Sequence, residues 1–370
     1  MNKHPLVSLL TNVGKVFDGK SWTGMGILKK ATGNPEFAWL EDFYGGRYAK
    51  VSGTYTTAAD QAPTVTGAGT TSGNIFTAGD VVKNARTGEC MVVGTVTDTT
   101  IQLHLRAFGT TAATAGVDGD GLYIIGNVNE ENASARNVNT TRSSKQSNYT
   151  QIFRTTIAVS RTEANSNLYG GADLPYLRAK KGTEHLLDIE RAFWWGQKKA
   201  STGTNGHPMR STGGILEFIE SSSAYVQDQG GLLTAPDLNT FLREGFTYGS
   251  DKKYLISGGV VIQAINEFAR GQIQMRPLEK SYGMSISEYV TPFGRISIVH
   301  NPLFVEDYAG YAFLLDLDCF KYVYYNNGDT KLRTNIQAPD VDGEIDEYIT
   351  ECGLQRMQSA KCALLKGVTA

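Results

Sequence analysis

The stretch DLPYLRAKKGTEHLLDIERAFWWG (residues 173–196) is the one segment long and periodic enough to form a major helix. Asp173 can cap it, Pro175 falls in the first turn where a missing N–H costs nothing, and Gly196 stands where a left-handed stop is wanted. About 22 residues lie between these signals, or roughly 33 Å of helix. Tyr176, Ala179, Thr183, Leu186, Ile189 and Phe193 recur at three- and four-residue steps and define an apolar face. Lys180, Lys181, Glu184, Asp188 and Arg191 lie off that face, with Lys180 and Glu184 one turn apart and placed for weak pairing. The stretch reads as a spine helix over 174–196.

Upstream, Phe153, Thr155, Ile157 and Val159 alternate with Arg154, Thr156, Ala158 and Ser160, the period-two pattern of a half-buried strand. The expected partner is residues 50–55, which makes a long hairpin whose tip is interrupted. That interruption, 57–129, carries several strand-sized apolar runs separated by Gly, Asp and Asn turns, so it reads as a small all-β unit of about five strands. The hairpin is expected from residues 50–55 and 148–160, and 161–171 reads as a polar connector.

Residues 1–34 mix short apolar runs with glycines and read as an arm. Within it, Gly14-Lys15-Val16-Phe17-Asp18-Gly19-Lys20-Ser21 satisfies the phosphate-loop pattern. Context opposes that match, because Asp18 puts a carboxylate among amides meant for phosphate and residues 22–26 are a poor helix start. A P-loop nucleotide-binding protein therefore stands only as an alternative. The aromatic cluster at 34–44, with Phe37, Trp39, Phe43 and Tyr44, must pack on something: the chain's own core or a neighbouring copy.

Downstream, 197–214 reads as loop, and its cations Lys198, Lys199 and Arg210 are expected to face solvent. A second lobe begins near Ile215. Thr234 caps a helix with Pro236 in its first turn, and strand, turn, helix and further strands follow to about residue 330, an α+β pattern. The strand-like runs at 331–334, 347–351 and 363–366 are expected to return the chain to the spine.

The totals bound the function. With 35 basic and 37 acidic side chains the formal charge is −2, which gives no general field for nucleic acid or an anionic membrane. Cys90, Cys319, Cys352 and Cys362 show no C-x-x-C spacing and read as small buried apolar groups in a reducing compartment. No apolar run approaches a signal peptide or a membrane span, and the sequons at Asn132, Asn139 and Asn148 are read as chance. The five histidines lie in five different segments without a nucleophile setting or a metal-ligand pair, and Asp316-x-Asp318 and Asp340-x-Asp342 lack the rest of a calcium loop. No catalytic, cofactor or metal site is expected, and the chain is not expected to be an enzyme. A carbohydrate-binding role for 57–129 rests on the β composition alone.

Glu36-Phe37-Ala38-Trp39-Leu40-Glu41-Asp42, Gly79-Asp80-Val81-Val82, Asn148-Tyr149-Thr150-Gln151-Ile152-Phe153, Glu190-Arg191-Ala192-Phe193-Trp194-Trp195-Gly196 and Thr291-Pro292-Phe293-Gly294-Arg295-Ile296 occur in an order that resembles tailed-phage major capsid proteins. The resemblance runs from about residue 30 to the C-terminus. It implies an α+β fold of the Hong Kong 97 type: an arm (1–34), an E-loop and its base (35–56 and 130–160), a β-rich insertion (57–129), a peripheral domain (161–214 and 331–370) and an axial domain (215–330). It implies a virion shell of hexamers and pentamers around non-specifically held double-stranded DNA, built from chains made in the host cytoplasm. Portal, scaffolding and decoration proteins are the further partners it suggests, with no membrane. An encapsulin-like compartment shell is the alternative of the same fold. On this plan Trp39, Phe43, Tyr44, Tyr55, Tyr149, Phe153, Arg154 and Glu184 are the expected inter-subunit contacts.

Overall fold

The computed structural model describes residues 28–42, 46–66, 75–110, 112–132, 134–137, 143–164, 173–222, 224–272, 276–277 and 287–369. The phosphate-loop match and most of the arm lie outside these, as do Phe43 and Tyr44. The chain forms two compact units, Met1–Trp39 with Gln146–Ala370, and Leu40–Lys145. A two-stranded ribbon, Glu36–Glu41 with Ser144–Tyr149, carries the chain from the first into the second and back.

In the first unit the spine helix spans Asp173–Trp195. Its seam is not the apolar face read from sequence. Tyr176 is 63% exposed, and Ala179 and Thr183 are exposed too, whereas His185, Ile189, Phe193 and Trp194 are buried. The seam instead runs through Arg178, Gly182, His185, Ile189 and Phe193, still at three- and four-residue steps. Its first turns lie on polar groups. Arg178 Nε donates to Asp346 Oδ2 at 2.6 Å, the Tyr348 hydroxyl donates to the Arg178 carbonyl at 3.1 Å, and a Cβ on Gly182 would stand 3.2 Å from the Tyr348 ring. An apolar template cannot find a seam made of arginine, glycine and histidine. On the outer face Glu184 pairs with Lys181 at 2.6 Å, not with Lys180, and Asp188 pairs with Arg191 at 3.1 Å.

Gly196 ends the helix for a different reason from the one expected. Its φ is not among the left-handed ones, and its N–H still reaches the Ala192 carbonyl at 2.9 Å. A Cβ there would collide with the carbonyl oxygens of Ala192 and Thr212. Close approach of the 212–214 segment therefore requires the glycine.

Against the spine lies a sheet in the order Leu28–Thr32, Phe320–Tyr325, Gly343–Arg356, Gln151–Ser160, with Lys331–Arg333 also paired to Gly343–Arg356. The alternating strand Gln151–Ser160 is present, but its partner is Gly343–Arg356, antiparallel from Gln151↔Cys352 to Ser160↔Gly343. The expected partner, 50–55, lies in the second unit, where Tyr48–Ser52 pairs with Thr64–Thr66 and Gly121–Asn127. Alternation fixes which face a strand buries; it carries no information about the neighbour.

The second sheet runs Tyr225–Leu232, Ala363–Thr369, Ala312–Leu315, Lys252–Ser257, Gly294–His300, Ser287–Thr291, Arg276–Pro277. The final strand was expected to return to the spine, and it inserts here between Tyr225–Leu232 and Ala312–Leu315, while Phe320–Tyr325 crosses to the first sheet. Helix Ala235–Gly245 begins as expected at Thr234, whose hydroxyl and Asp237 form a reciprocal capping box, with Pro236 in the first turn. It buries Leu238, Phe241 and Leu242 against Leu255, Leu314 and Leu365 of the sheet. A second apolar cluster joins the two sheets, where Phe193 and Trp194 of the spine meet Phe313 and Leu364 from one and Phe320 and Tyr322 from the other. Trp194 stands edge-on to Phe304 with ring centroids 5.0 Å apart.

The second unit is built on a six-stranded sheet: Thr64–Thr66, Tyr48–Ser52, Gly121–Asn127, Asp80–Asn84, Cys90–Val96, Ile101–Leu105. Val51, Val82, Met91, Val93, Ile101, Leu103 and Leu122 form its core. The mixed α+β class is the one the sequence led to.

Candidate assembly surface

Among the described residues no group of His, Cys, Asp and Glu is arranged to hold a metal ion, and no helix is long and apolar enough to cross a membrane. Cys319, Cys352 and Cys362 are buried, and burial pushes the Cys352 and Cys362 thiols up to about 12, which leaves them unreactive. Asp316 does turn work, accepting from the amides of Asp318 and Ser250. His104 does have a carboxylate neighbour that the sequence did not reveal, Asp60 Oδ1 at 2.7 Å from Nδ1. Both side chains are more than half exposed and no nucleophile joins them. A cleft of about 290 Å³ next to Trp195 holds Glu217 and Glu220, but Glu217 is tied to Arg356 at 2.9 Å and Glu220 to Lys366 at 3.2 Å.

His185 is structural. Its Nδ1 lies 2.9 Å from Thr155 Oγ1 and its Nε2 lies 2.8 Å from Thr350 Oγ1. The Thr350 hydroxyl donates to Thr330 Oγ1 at 2.8 Å, so Nε2 carries the hydrogen and Nδ1 accepts from Thr155. The neutral ring is thus satisfied on both sides. Burial pulls its pKa below the usual value, with Asp188 acting in the opposite sense. The unfolded chain takes up this proton near pH 6.5, and the folded chain resists it. The His185 contribution is therefore complete above about pH 6.5 and falls as the pH drops below it. Denaturant midpoints measured between pH 7.5 and 5.5 should decline for the unaltered chain and flatten for His185→Gln; equal slopes would refute the assignment.

The expected contact residues divide by placement. Tyr55 is 3% exposed inside the second unit, where its hydroxyl accepts from Asn84 Nδ2 at 2.8 Å and the Arg106 guanidinium lies 5.1 Å from its ring. Phe153 is 8% exposed in the core under the spine. Trp39 and Tyr149 are half-buried: Trp39 stacks on Phe37 with centroids 6.1 Å apart, and the Lys198 ammonium sits 5.2 Å from the Tyr149 ring. Arg154 leaves 61% of its side chain exposed while its guanidinium forks onto Glu347 at 2.5 and 3.0 Å. Glu184 is partly exposed beside Lys181. Tyr55 and Phe153 serve the chain's own cores, and Trp39, Tyr149, Arg154 and Glu184 keep surface to offer.

Sequence reasoning missed the polar group that fixes the root of the ribbon. Asn148, dismissed as a chance sequon, is fully buried. Its amide nitrogen donates to Thr212 Oγ1, the Gly213 carbonyl and the Leu354 carbonyl, at 3.2, 3.1 and 2.7 Å, and its oxygen accepts from the Gly213 amide at 2.8 Å. No local signal could have revealed a contact that spans 206 residues of chain. Large apolar side chains also stay exposed on separate elements of the first unit: Ile152 at 56%, Met209 at 59%, Leu232 at 67%, Val290 and Val305 at 59% each.

Comparison with known proteins gives these surfaces a context. Residues 8–369 match the model of a family described as SU10 major capsid protein. The chain is 24% identical over 324 residues to a major capsid protein of Pseudomonas phage PaMx41, covering 79% of this chain and 76% of that one. Among solved structures, the capsid of the native GTA particle aligns over 93% of this chain and 88% of its own at 9% identity and a TM-score of 0.47. The holo-SrpI encapsulin complex from Synechococcus elongatus PCC 7942 aligns over 62% and 78% at 12% identity and a TM-score of 0.45.

Proposed function

The chain belongs to the SU10 major capsid protein family and is a structural subunit of a phage capsid; from that premise we propose that it closes into an icosahedral head of hexamers and pentamers around double-stranded DNA. The chain performs no catalysis in this reading. It is made in the host cytoplasm, holds DNA non-specifically and meets portal, scaffolding or decoration proteins. The Hong Kong 97 plan is carried over as part of the proposal. Residues 1–34 are the arm, 35–56 and 130–160 the E-loop and its base, and 57–129 the insertion, into whose sheet Tyr48–Ser52 is paired; 161–214 and 331–370 are the peripheral part and 215–330 the axial part, with Phe320–Tyr325 exchanged into the sheet of the first and Ala363–Thr369 into the sheet of the second. Trp39, Tyr149, Arg154 and Glu184 are retained as contacts, together with Phe43 and Tyr44, which lie outside the described residues.

One observation carries the reading: the spread of exposed large apolar side chains over separate elements of the first unit. Single exposed apolar residues are ordinary. A subunit with several different neighbours needs several such places, each small, because the energy of a shell comes from many repeated contacts.

Expressed alone or with its phage partners, the full chain is expected to form closed shells, capsomers or sheets in electron micrographs. Nuclease-protected DNA within phage-derived particles supports the genome-enclosing form, and a protein cargo in its place points to a compartment shell. A chain that stays a monodisperse monomer across salt and concentration would overturn the assembly proposal.

A further inference from the structure

Immediately after the spine helix, Lys199–Thr202 and Pro208–Ser211 form a two-stranded hairpin, in register from Lys199↔Ser211 to Thr202↔Pro208. It belongs to no larger sheet, and Lys199–Thr202 is exposed throughout. A two-stranded hairpin of this length is marginal in water without a surface to lie on, and this one is held at its base, where Ser211 Oγ and the Thr212 amide donate to Gln151 Oε1 at 3.5 and 3.1 Å. Its charge is one-sided: residues 192–216 contain Lys198, Lys199, His207 and Arg210 and no acidic residue. Lys198 is used within the chain, on Ser147 at 2.8 Å. Among the described residues Lys199 and Arg210 have no ion-pair partner. The register puts Lys199 on the same face as Met209, which is 59% exposed, and puts Arg210 with Ala200 on the other face.

The same unit carries a surface of opposite character. The loop at 336–342 is held by its backbone, with Ile336 N–H to the Ile345 carbonyl at 2.9 Å and Val341 N–H to the Ala338 carbonyl at 3.0 Å. It presents Val341, 46% exposed, between two carboxylates, with Ile336 at 42% nearby. Asp340 has no ion-pair partner among the described residues. Among the described residues Asp342 pairs with Arg161 alone, a pair exposed by 65% and 73% and therefore weak and exchangeable.

We propose that the basic hairpin of one copy docks on the acidic 336–342 loop of a second copy through its Lys199 face, Lys199 against Asp340 and Asp342, with Met209 over Val341. This names one contact of the shell reading above and rests on it. Because the two surfaces differ, the contact is head-to-tail, and each copy gives its hairpin to one neighbour and its loop to another. Contacts of that kind close rings when the rotation between neighbours divides a full turn, which the shell reading requires. An isolated pair of this sort adds little affinity, but repetition around a ring and correct register make it decisive for assembly.

The test uses the full chain in two reversed forms and their combination. Lys199→Glu makes both surfaces acidic, and Asp340→Lys with Asp342→Lys makes both basic. Each form alone should lose sedimentable particles by about tenfold or more, through like-charge contact at every repeat. With all three replacements in one chain, every hairpin meets a loop of opposite sign, in five-membered rings as in six-membered ones, and particles should return to within about twofold of the unaltered chain. A form that had merely misfolded could not be recovered by adding further replacements. Particles from Lys199→Glu at the unaltered yield would overturn the contact and leave the shell reading standing. Loss of particles in both forms with no recovery in the combined chain would also overturn it.

Discussion

Lys253→Met should cost the folded chain about 3–5 kcal/mol, the largest single loss expected in the first unit. Lys253 lies on the strand Lys252–Ser257, fully buried. Its ammonium donates to the carbonyls of Gly245, Tyr248 and Lys361 at 2.6, 2.7 and 2.7 Å. The first is the last residue of helix Ala235–Gly245, the second lies in the turn that follows, and the third precedes the final strand. One side chain thus closes a helix C-terminus and ties it to a segment 108 residues away, with all three of its hydrogens used. Burial pulls the ammonium pKa down, and the neighbouring Cys362 and Asp316 act against that pull. Methionine matches the length of the stem and removes every donor, so three carbonyls lose their partner in a site with little room for water. Thermal unfolding should shift down by about 5 °C for a chain of this size. A midpoint unchanged within about 1 °C would mean that those carbonyls find other donors and that the staple reading is wrong.

Lys253 also marks the limit of what was legible. The helix it closes could be read at its start, because Thr234, Pro236 and Asp237 are adjacent in sequence and their chemistry is local. The spine could be placed almost to the residue from proline, glycine and length. Its seam was misread because half of the contact is polar: Arg178, Gly182 and His185 reach Asp346, Tyr348, Thr155 and Thr350, and a hydrophobic template passes over such residues. Strand faces were readable and strand partners were not. Gln151–Ser160 pairs with a segment beginning at residue 343, and Ala363–Thr369 slots between strands that precede it by about 50 and about 140 residues, which leaves no trace in a local window. For the assembly surface the sequence supplied a family and a list of aromatics. Two of those aromatics, Tyr55 and Phe153, turn inward, since an aromatic run looks the same whether it covers its own core or a neighbour's.

In the second unit the corresponding expectation concerns Glu89 and Arg106, whose side chains are 0% and 5% exposed and meet at 2.9 Å. Each single replacement, Glu89→Leu or Arg106→Leu, should destabilise by about 3–5 kcal/mol, because each leaves a charge buried without its partner. The double replacement should cost less than the sum, with a coupling of about 2 kcal/mol, but should not return to the unaltered stability. The reason lies in the backbone. Arg106 also donates to the carbonyls of Thr56, Ala58 and Thr114, and Glu89 accepts from the amides of Ala107 and Thr114. Burial pushes the Glu89 carboxyl up, and Arg106 with those two amides more than offsets it, so the group stays ionised. The pair therefore replaces the secondary structure that these loop segments lack, and an apolar pair of equal volume leaves five backbone groups unsatisfied. Denaturant unfolding of the four proteins separates the possibilities. Strict additivity would mean the charges do not depend on each other, and full recovery in the double variant would mean the backbone contacts contribute nothing. Only partial recovery fits a pair that holds loops by their peptide groups, which is how a small sheet with Gly- and Thr-rich connections can keep those connections fixed.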